Sequence, residues 1–184
     1  MTTDSQVTLA ILSADDIAAL AGELGALLHA CVQAGASVNF VLPYSPQDGQ
    51  AFWTGKVLPA VRAGGRAVLV ARTGARIAGT VQLAYDTPPN QPHRAEVSKL
   101  LVHPDARRRG IARLLMAELE RLAQSLGRSL LTLDTRTGDS AEPLYTSLGY
   151  HTVGVIPGYC RDPFGQDRLD STTIMYKVLS RPAA

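Results

Sequence analysis

The chain has 184 residues, 46% of them hydrophobic, enough to bury one sizeable core, and it is expected to form a single domain over 1–184. Eighteen Lys and Arg against sixteen Asp and Glu leave a formal charge of +2, which excludes a surface built throughout for nucleic acid or for an anionic membrane. The opening "MTTDSQVTLAIL" has no basic n-region and too short an apolar run for a signal peptide or a membrane span, and Cys31 and Cys160 lie far apart, so a soluble cytoplasmic protein with two free thiols is expected.

In chain order, residues 7–12 read as a short strand, and Ser13 with Asp16 form a helix-starting cap before the apolar run Ile17 to Ala34. "GASVNF" interrupts that helix. Ser45, Pro46 and Asp48 start a second, expected over Pro46 to Arg62, whose Phe52 and Trp53 are either core or part of a substrate wall. "RAVLVAR", "TGAR" and "IAGTVQLAY" make a hairpin, and the three prolines of "DTPPNQPH" end it.

Ala95 to Val102 is the next strand, followed by a helix with Ile111, Leu115, Leu119, Leu122 and Leu126 on its buried stripe and Gly127 at its end. "SLLTLD" is a strand, Ser140 to Leu148 a short helix, and "YHTVGVI" and "STTIMYKVL" the last two strands. Consecutive strands imply a mixed α/β fold with a central, mostly antiparallel sheet of about six to seven strands and about four helices. The unit around Arg107 to Leu133 is a parallel crossover.

Chemistry concentrates at "HPDARRRGIARLL". A strand that feeds a helix presents the helix's first N–H groups, unpaired and partly positive, to an anion. Gly110 lets a ligand approach the backbone, Ala112 keeps the next turn small, and Arg107, Arg108 and Arg109 add charge. Three arginines there oppose the helix dipole, so they are unfavourable unless an anion compensates; the alternative is a solvated basic surface.

"VSKLLVHPDARRRGIARLLM" resembles the acyl-CoA motif of the GNAT superfamily of N-acetyltransferases, in which Arg or Gln is followed two residues on by Gly and then, after one more, by Gly or Ala. Arg107, Gly110 and Ala112 occupy those positions. The resemblance implies a GNAT fold, acetyl-CoA as cosubstrate, backbone pairing of Leu100, Leu101 and Val102 with the pantetheine arm, and a pyrophosphate cradle of amides from Arg108 through Arg109, Gly110, Ile111 and Ala112 to Arg113. It also implies a bulge that splays this strand from its parallel neighbour. The order of "GASVNF", "HRAEVSKLLV", "LDTRTGDSAEPLYTSLGY" and "VGVIPGYCRDP" is similar to that of the tabtoxin-resistance subgroup, which acetylates an amino group of a small amino-acid-like toxin.

Acetyl transfer to an amine needs a neutral nucleophile, a polarised carbonyl and a proton for the leaving thiolate. Tyr145 matches the family tyrosine whose hydroxyl supplies that proton; otherwise it packs with Leu144 and Leu148. Glu96, at the start of the coenzyme strand, is the preferred general base, and Asp134 either anchors the substrate ammonium, shares the base role or caps the turn after it. Tyr150 reads as structural. Gly138 stands where many members carry an Asn that holds the pantetheine, so that contact is either absent or supplied otherwise, with Asp139 and Ser140 as candidates.

Ser37, Asn39 and Trp53 are candidate wall residues of the acceptor end, but their apolar neighbours favour core packing. The four histidines have no ligand spacing, so no metal is expected. The function implied is transfer of acetyl from acetyl-CoA to a primary amine of a small amino-acid-like, toxin or antibiotic acceptor. Alternatives are a protein or peptide acceptor, or a non-catalytic acyl-CoA-binding module. Neither nucleic acid nor membrane is an expected partner, and both a monomer and a homodimer are open.

Overall fold

A computed structural model describes residues 6–180. Seven strands form one sheet: β1 (Val7–Ile11), β2 (Arg66–Thr73), β3 (Arg76–Ala84), β4 (Arg94–Val102), β5 (Leu130–Arg136), β6 (His151–Arg161) and β7 (Leu169–Val178), ordered β1-β2-β3-β4-β5-β7-β6. Every neighbouring pair is antiparallel except β4 and β5. β7 runs between β5 and β6, so β6 becomes the outer edge, and Pro157 is tolerated where that strand has no outer partner.

The first helix, α1 (Ala14–Gln33), starts in the expected capping box: Ser13 and Asp16 each satisfy the other's backbone N–H, at 3.1 and 2.9 Å. Ser45 and Asp48 repeat the device ahead of α2 (Pro46–Phe52). The expected single helix over Pro46 to Arg62 is corrected here. α2 passes through a π-helical turn at Trp53–Val57 into α3 (Leu58–Arg62), and Leu58 donates to the Trp53 carbonyl, one residue further back than an α-helical bond. Pro59 has no N–H and its ring crowds the preceding turn, which accounts for the slip just ahead of it. The segment remains one irregular helix, so four helical segments flank the sheet.

The remaining helices are α4 (Ile111–Ser125) and α5 (Ala141–Ser147). α4 ends in a Schellman motif: Gly127, at φ +72°, donates to Gln124, and Arg128 donates to Ala123. Its stripe differs from expectation at one end. Leu126 lies beyond the last turn and is 39% exposed, while Met116 and Ala123 are fully buried.

The two sheet faces bury different clusters. Leu69, Val81, Leu83, Val97, Leu131 and Met175 pack under α4 and α5. Val68, Val70, Ile77 and Leu101 pack under α1, α2 and α3 with Trp53, Phe52 and Phe40. Gly25 of α1 and Gly49 of α2 let these helices touch: a Cβ on Gly49 would sit 2.5 Å from the Gly25 carbonyl oxygen. That crossing fixes how the aromatic group of α2 hangs over β3 and β4.

Candidate active site

The strand pairing opens a slot. β4 and β5 are paired only from Arg94↔Leu130 to Glu96↔Thr132, and beyond that point they part. The cause is a bulge: Thr80 of β3 faces Leu101 and Gln82 faces Ser98, so Lys99 and Leu100 together oppose Val81. Lys99 takes the left-handed conformation, φ +52°, that such an extra residue requires. The insertion also resets alternation, so Leu101 joins the face toward α1 while Leu100 and Val102 pack toward α4.

The slot widens into a cavity of about 770 Å³, within the range of small-molecule sites. Leu100, Leu101, Val102, Arg107, Arg108, Gly110, Ile111, Ala112 and Arg113 line one end, and Ser37, Asn39, Glu96, Lys99 and Asp134 lie around the other with Tyr145 between strand and helix. Arg109 is not part of this lining. Trp53 is also outside it, fully buried in the core, whereas Ser37 and Asn39 do reach the cavity wall.

The coenzyme-facing end is a backbone site. Arg108, at φ +63°, and Gly110, at φ +77°, turn the chain sharply into α4. No side chain caps that helix and no acid sits in its first turn, so its leading amides face the cavity unpaired. A Cβ on Gly110 would strike no neighbouring protein atom; the glycine is required by its left-handed φ and keeps the approach clear. Arg107 folds back, its Nε donating to the Val102 carbonyl at 3.3 Å, and Arg113 donates to Ser147 Oγ at 2.8 Å. Two of the three expected basic side chains in the lining of this turn and helix start are therefore tied to protein.

Tyr145 is buried, its ring edge-on to Tyr150 at 5.7 Å. Burial first, then the charges of Asp134 and Asp139, push its phenol well above the usual tyrosine range, so it keeps its proton at neutral pH. Asp134 accepts from Thr172 Oγ1 at 3.0 Å, while Glu96 has no hydrogen-bond or ion-pair partner among the described residues. Asp139 and Ser140 line the cavity beside Gly138, but Asp139 already receives Arg136 at 3.2 Å and the Ser140 amide at 2.6 Å.

One cavity residue escaped the sequence reading. Lys99 stands on the coenzyme strand between Glu96 and Leu100, with its ammonium 5.7 Å from the ring centres of both Phe40 and Phe52. Burial lowers its pKa from 10.5 to about 8, an effect that Asp134 and Glu96 oppose and Arg66 reinforces. A lysine within the mostly apolar "VSKLLV" was the available signal. The β6–β7 connection reaches the loop after α1 at the margin of the cavity: its Pro163 carbonyl accepts from the Leu42 amide at 2.8 Å and its Phe164 lies on Gly35.

Among the described residues no group of three or more His, Cys, Asp or Glu is arranged to hold a metal ion. Nor is any of their helices long and apolar enough to cross a membrane. Cys31 is buried, with its thiol pushed up to about 11 by desolvation, and Cys160 lies 3.7 Å from Ser37 Oγ.

Comparison with known proteins places this geometry among relatives. The model of the acetyltransferase (GNAT) family matches residues 37–150. An acetyltransferase of Pectobacterium atrosepticum is 37% identical over 89 residues, 48% of this chain and 60% of that protein. An N-acetyltransferase encoded between hisH and hisA in Azospirillum brasilense is 32% identical over 115 residues, 61% of this chain and 66% of that one. The chain thus spans less than two thirds of these curated relatives. Among solved structures, an N-acetyltransferase from Staphylococcus aureus Mu50 superposes with a TM-score of 0.75 at 16% identity, over 96% of this chain and all of that one. A Salmonella typhimurium protein described as an acetyltransferase, with its cofactor acetyl-CoA, gives 0.74 at 20% identity over 98% of both chains.

Proposed function

Because the chain belongs to the acetyltransferase (GNAT) family, we propose that this cavity transfers an acetyl group from acetyl-CoA to the primary amine of a small, amino-acid-like molecule by direct attack. The observation that carries the reading is a single one. The splayed β4–β5 slot brings a backbone anion cradle, a protonated buried phenol and two carboxylates to one cavity. Each part answers one requirement of the reaction.

The amides from Arg108 to Arg113 hold the pyrophosphate, and the unpaired edge of Leu100 to Val102 holds the pantetheine arm as an added strand. Acetyl-CoA supplies an activated thioester carbonyl. Glu96, whose carboxylate has no protein partner, receives the proton that the acceptor ammonium must lose, and Asp134, steadied by Thr172, orients that ammonium. Tyr145 donates its retained proton to the departing thiolate. A small molecule is the preferred acceptor because the motif order is similar to that of the tabtoxin-resistance subgroup and because charged side chains of both signs, Glu96, Lys99 and Asp134, line one cavity.

Release of CoA thiol is the direct test, followed with a panel of amino acids, β-lactam-like amino acids and aminoglycosides. The proposal requires acetyl-CoA binding and acetylation of at least one small amine. If acetyl-CoA binds and no amine in the panel is acetylated, the protein is an acyl-CoA-binding module. If only peptides are acetylated, the acceptor class is wrong.

A further inference from the structure

We propose that Lys99 selects the acceptor by pairing with its carboxylate, so that the substrate class is the zwitterionic amino acid, with ammonium at Glu96 and Asp134 and carboxylate at Lys99. This rests on the acetyltransferase reading of the cavity and adds a residue and a charge requirement to it.

Arg107 and Arg113 are bonded to the Val102 carbonyl and to Ser147, and Arg136 is held by Asp139, the Gly35 carbonyl and Asp170. Lys99 differs. Among the described residues its ammonium has no hydrogen bond and no carboxylate within ion-pair distance; its contacts are the faces of Phe40 and Phe52. Those rings, edge to face at 5.2 Å, are part of the α1–α2 core, so they hold the side chain in place without neutralising it. A partly buried ammonium without an anion is costly, and an anionic ligand group removes that cost.

The bulge makes the placement specific. Without the extra residue, position 99 would alternate toward α4; with it, Lys99 shares the α1-facing side with Glu96 and Leu101. Among the described residues the cavity then carries a cation at Lys99 and a carboxylate at Glu96 that feel each other only beyond ion-pair distance, and a lightly held carboxylate at Asp134. That set complements a molecule bearing both charges and is poorly matched to a simple amine, which would leave Lys99 unpaired and repelling it.

The test compares L-amino acids with the corresponding amino-acid amides, which keep the amine and lose the carboxylate. Binding to the CoA-saturated protein is read by thermal shift, and kcat and KM are read by thiol release. The proposal expects at least one amino acid to raise the melting temperature and to be acetylated with a KM at least tenfold below that of its amide. K99M abolishes that preference by raising KM for the acid while acetyl-CoA affinity is kept, and K99R restores part of it.

Equal use of acid and amide by the wild type overturns it. So does a K99M effect confined to kcat, which would make Lys99 a proton carrier. If no amino acid binds the CoA-saturated protein, the inference falls even where other amines are acetylated. Amino acids that bind through Lys99 without being acetylated would instead overturn the transferase reading and leave the pairing standing.

Discussion

The two faces of the sheet are built from the same strands and do different work. Under α4, the cluster is almost wholly aliphatic, its polar members being Tyr145 and the buried Tyr150, whose hydroxyl has no protein partner among the described residues. Under α1 and α2, buried Gln82 and Thr80 sit beside aromatic rings, and Lys99 and Glu96 emerge toward the cavity. Gln82 is held through its Oε1 by Arg66 at 2.7 Å, while its Nε2 has no protein partner. A face with unsatisfied donors and an unpaired ammonium is poor at stabilising a fold and good at holding a ligand; the α4 face compensates for it.

This contrast predicts that changes on the α4 face cost stability and changes on the cavity face cost rate or specificity. The largest effect is expected at Leu119, fully buried on α4. Leu119→Ala should lower unfolding free energy by about 3 kcal/mol, read by denaturant titration, with catalytic constants of the folded fraction little changed. Tyr145→Phe should do the reverse, lowering kcat roughly 100-fold in the thiol-release assay with acetyl-CoA affinity retained. An unchanged kcat would move the proton donor elsewhere.

Gly110→Val places a branched side chain at φ +77°, costing about 1–2 kcal/mol of the cradle conformation. It should weaken acetyl-CoA binding about tenfold by calorimetry, against two- to threefold for Arg108→Gln. A larger loss for the arginine would shift the cradle from amide dipoles to plain charge. The smallest effect is a gain: Lys99→Met should stabilise the ligand-free protein by about 1 kcal/mol at pH 7, because an apolar chain of similar length removes the desolvation cost of the ammonium, a cost that residual solvent contact keeps small. Below pH 8 Lys99 is charged both folded and unfolded, so its burial is fully unfavourable there. The gain therefore shrinks as pH rises from about 8 to 10.5, and a gain that grew with pH would show that Lys99 is stabilised where it stands.

Local chemistry made much of this legible in advance. Ser13 with Asp16, Ser45 with Asp48, and Gly127 after the stripe of α4 each act within one helical turn, so their partners are neighbours in the sequence. The turn at Arg107 to Gly110 belongs to the same kind, because the unpaired amides of a helix start depend only on the strand and helix that flank it. Three features were illegible for the opposite reason. The π-helical turn at Trp53–Val57 accommodates Pro59 under core packing, Leu126 falls outside the packed length of α4, and Lys99 sits in an ordinary strand pattern until β3 is laid beside it.

The sequence by itself determined the starts of α1 and α2, the glycine end of α4, the hairpin turn and the anion-binding turn, since each rests on contacts a few residues apart. Only the tertiary structure decided the bulge that parts β4 from β5, the insertion of β7 beside β5, and the folding of the β6–β7 connection over the loop after α1. Pairing register between distant strands is set by which faces both partners can bury at once, and that balance is struck across the whole sheet. Glu96, Lys99, Asp134 and Tyr145 come from three separate elements, and they meet because the bulge in β4 and the parting of β4 from β5 open one cavity between them.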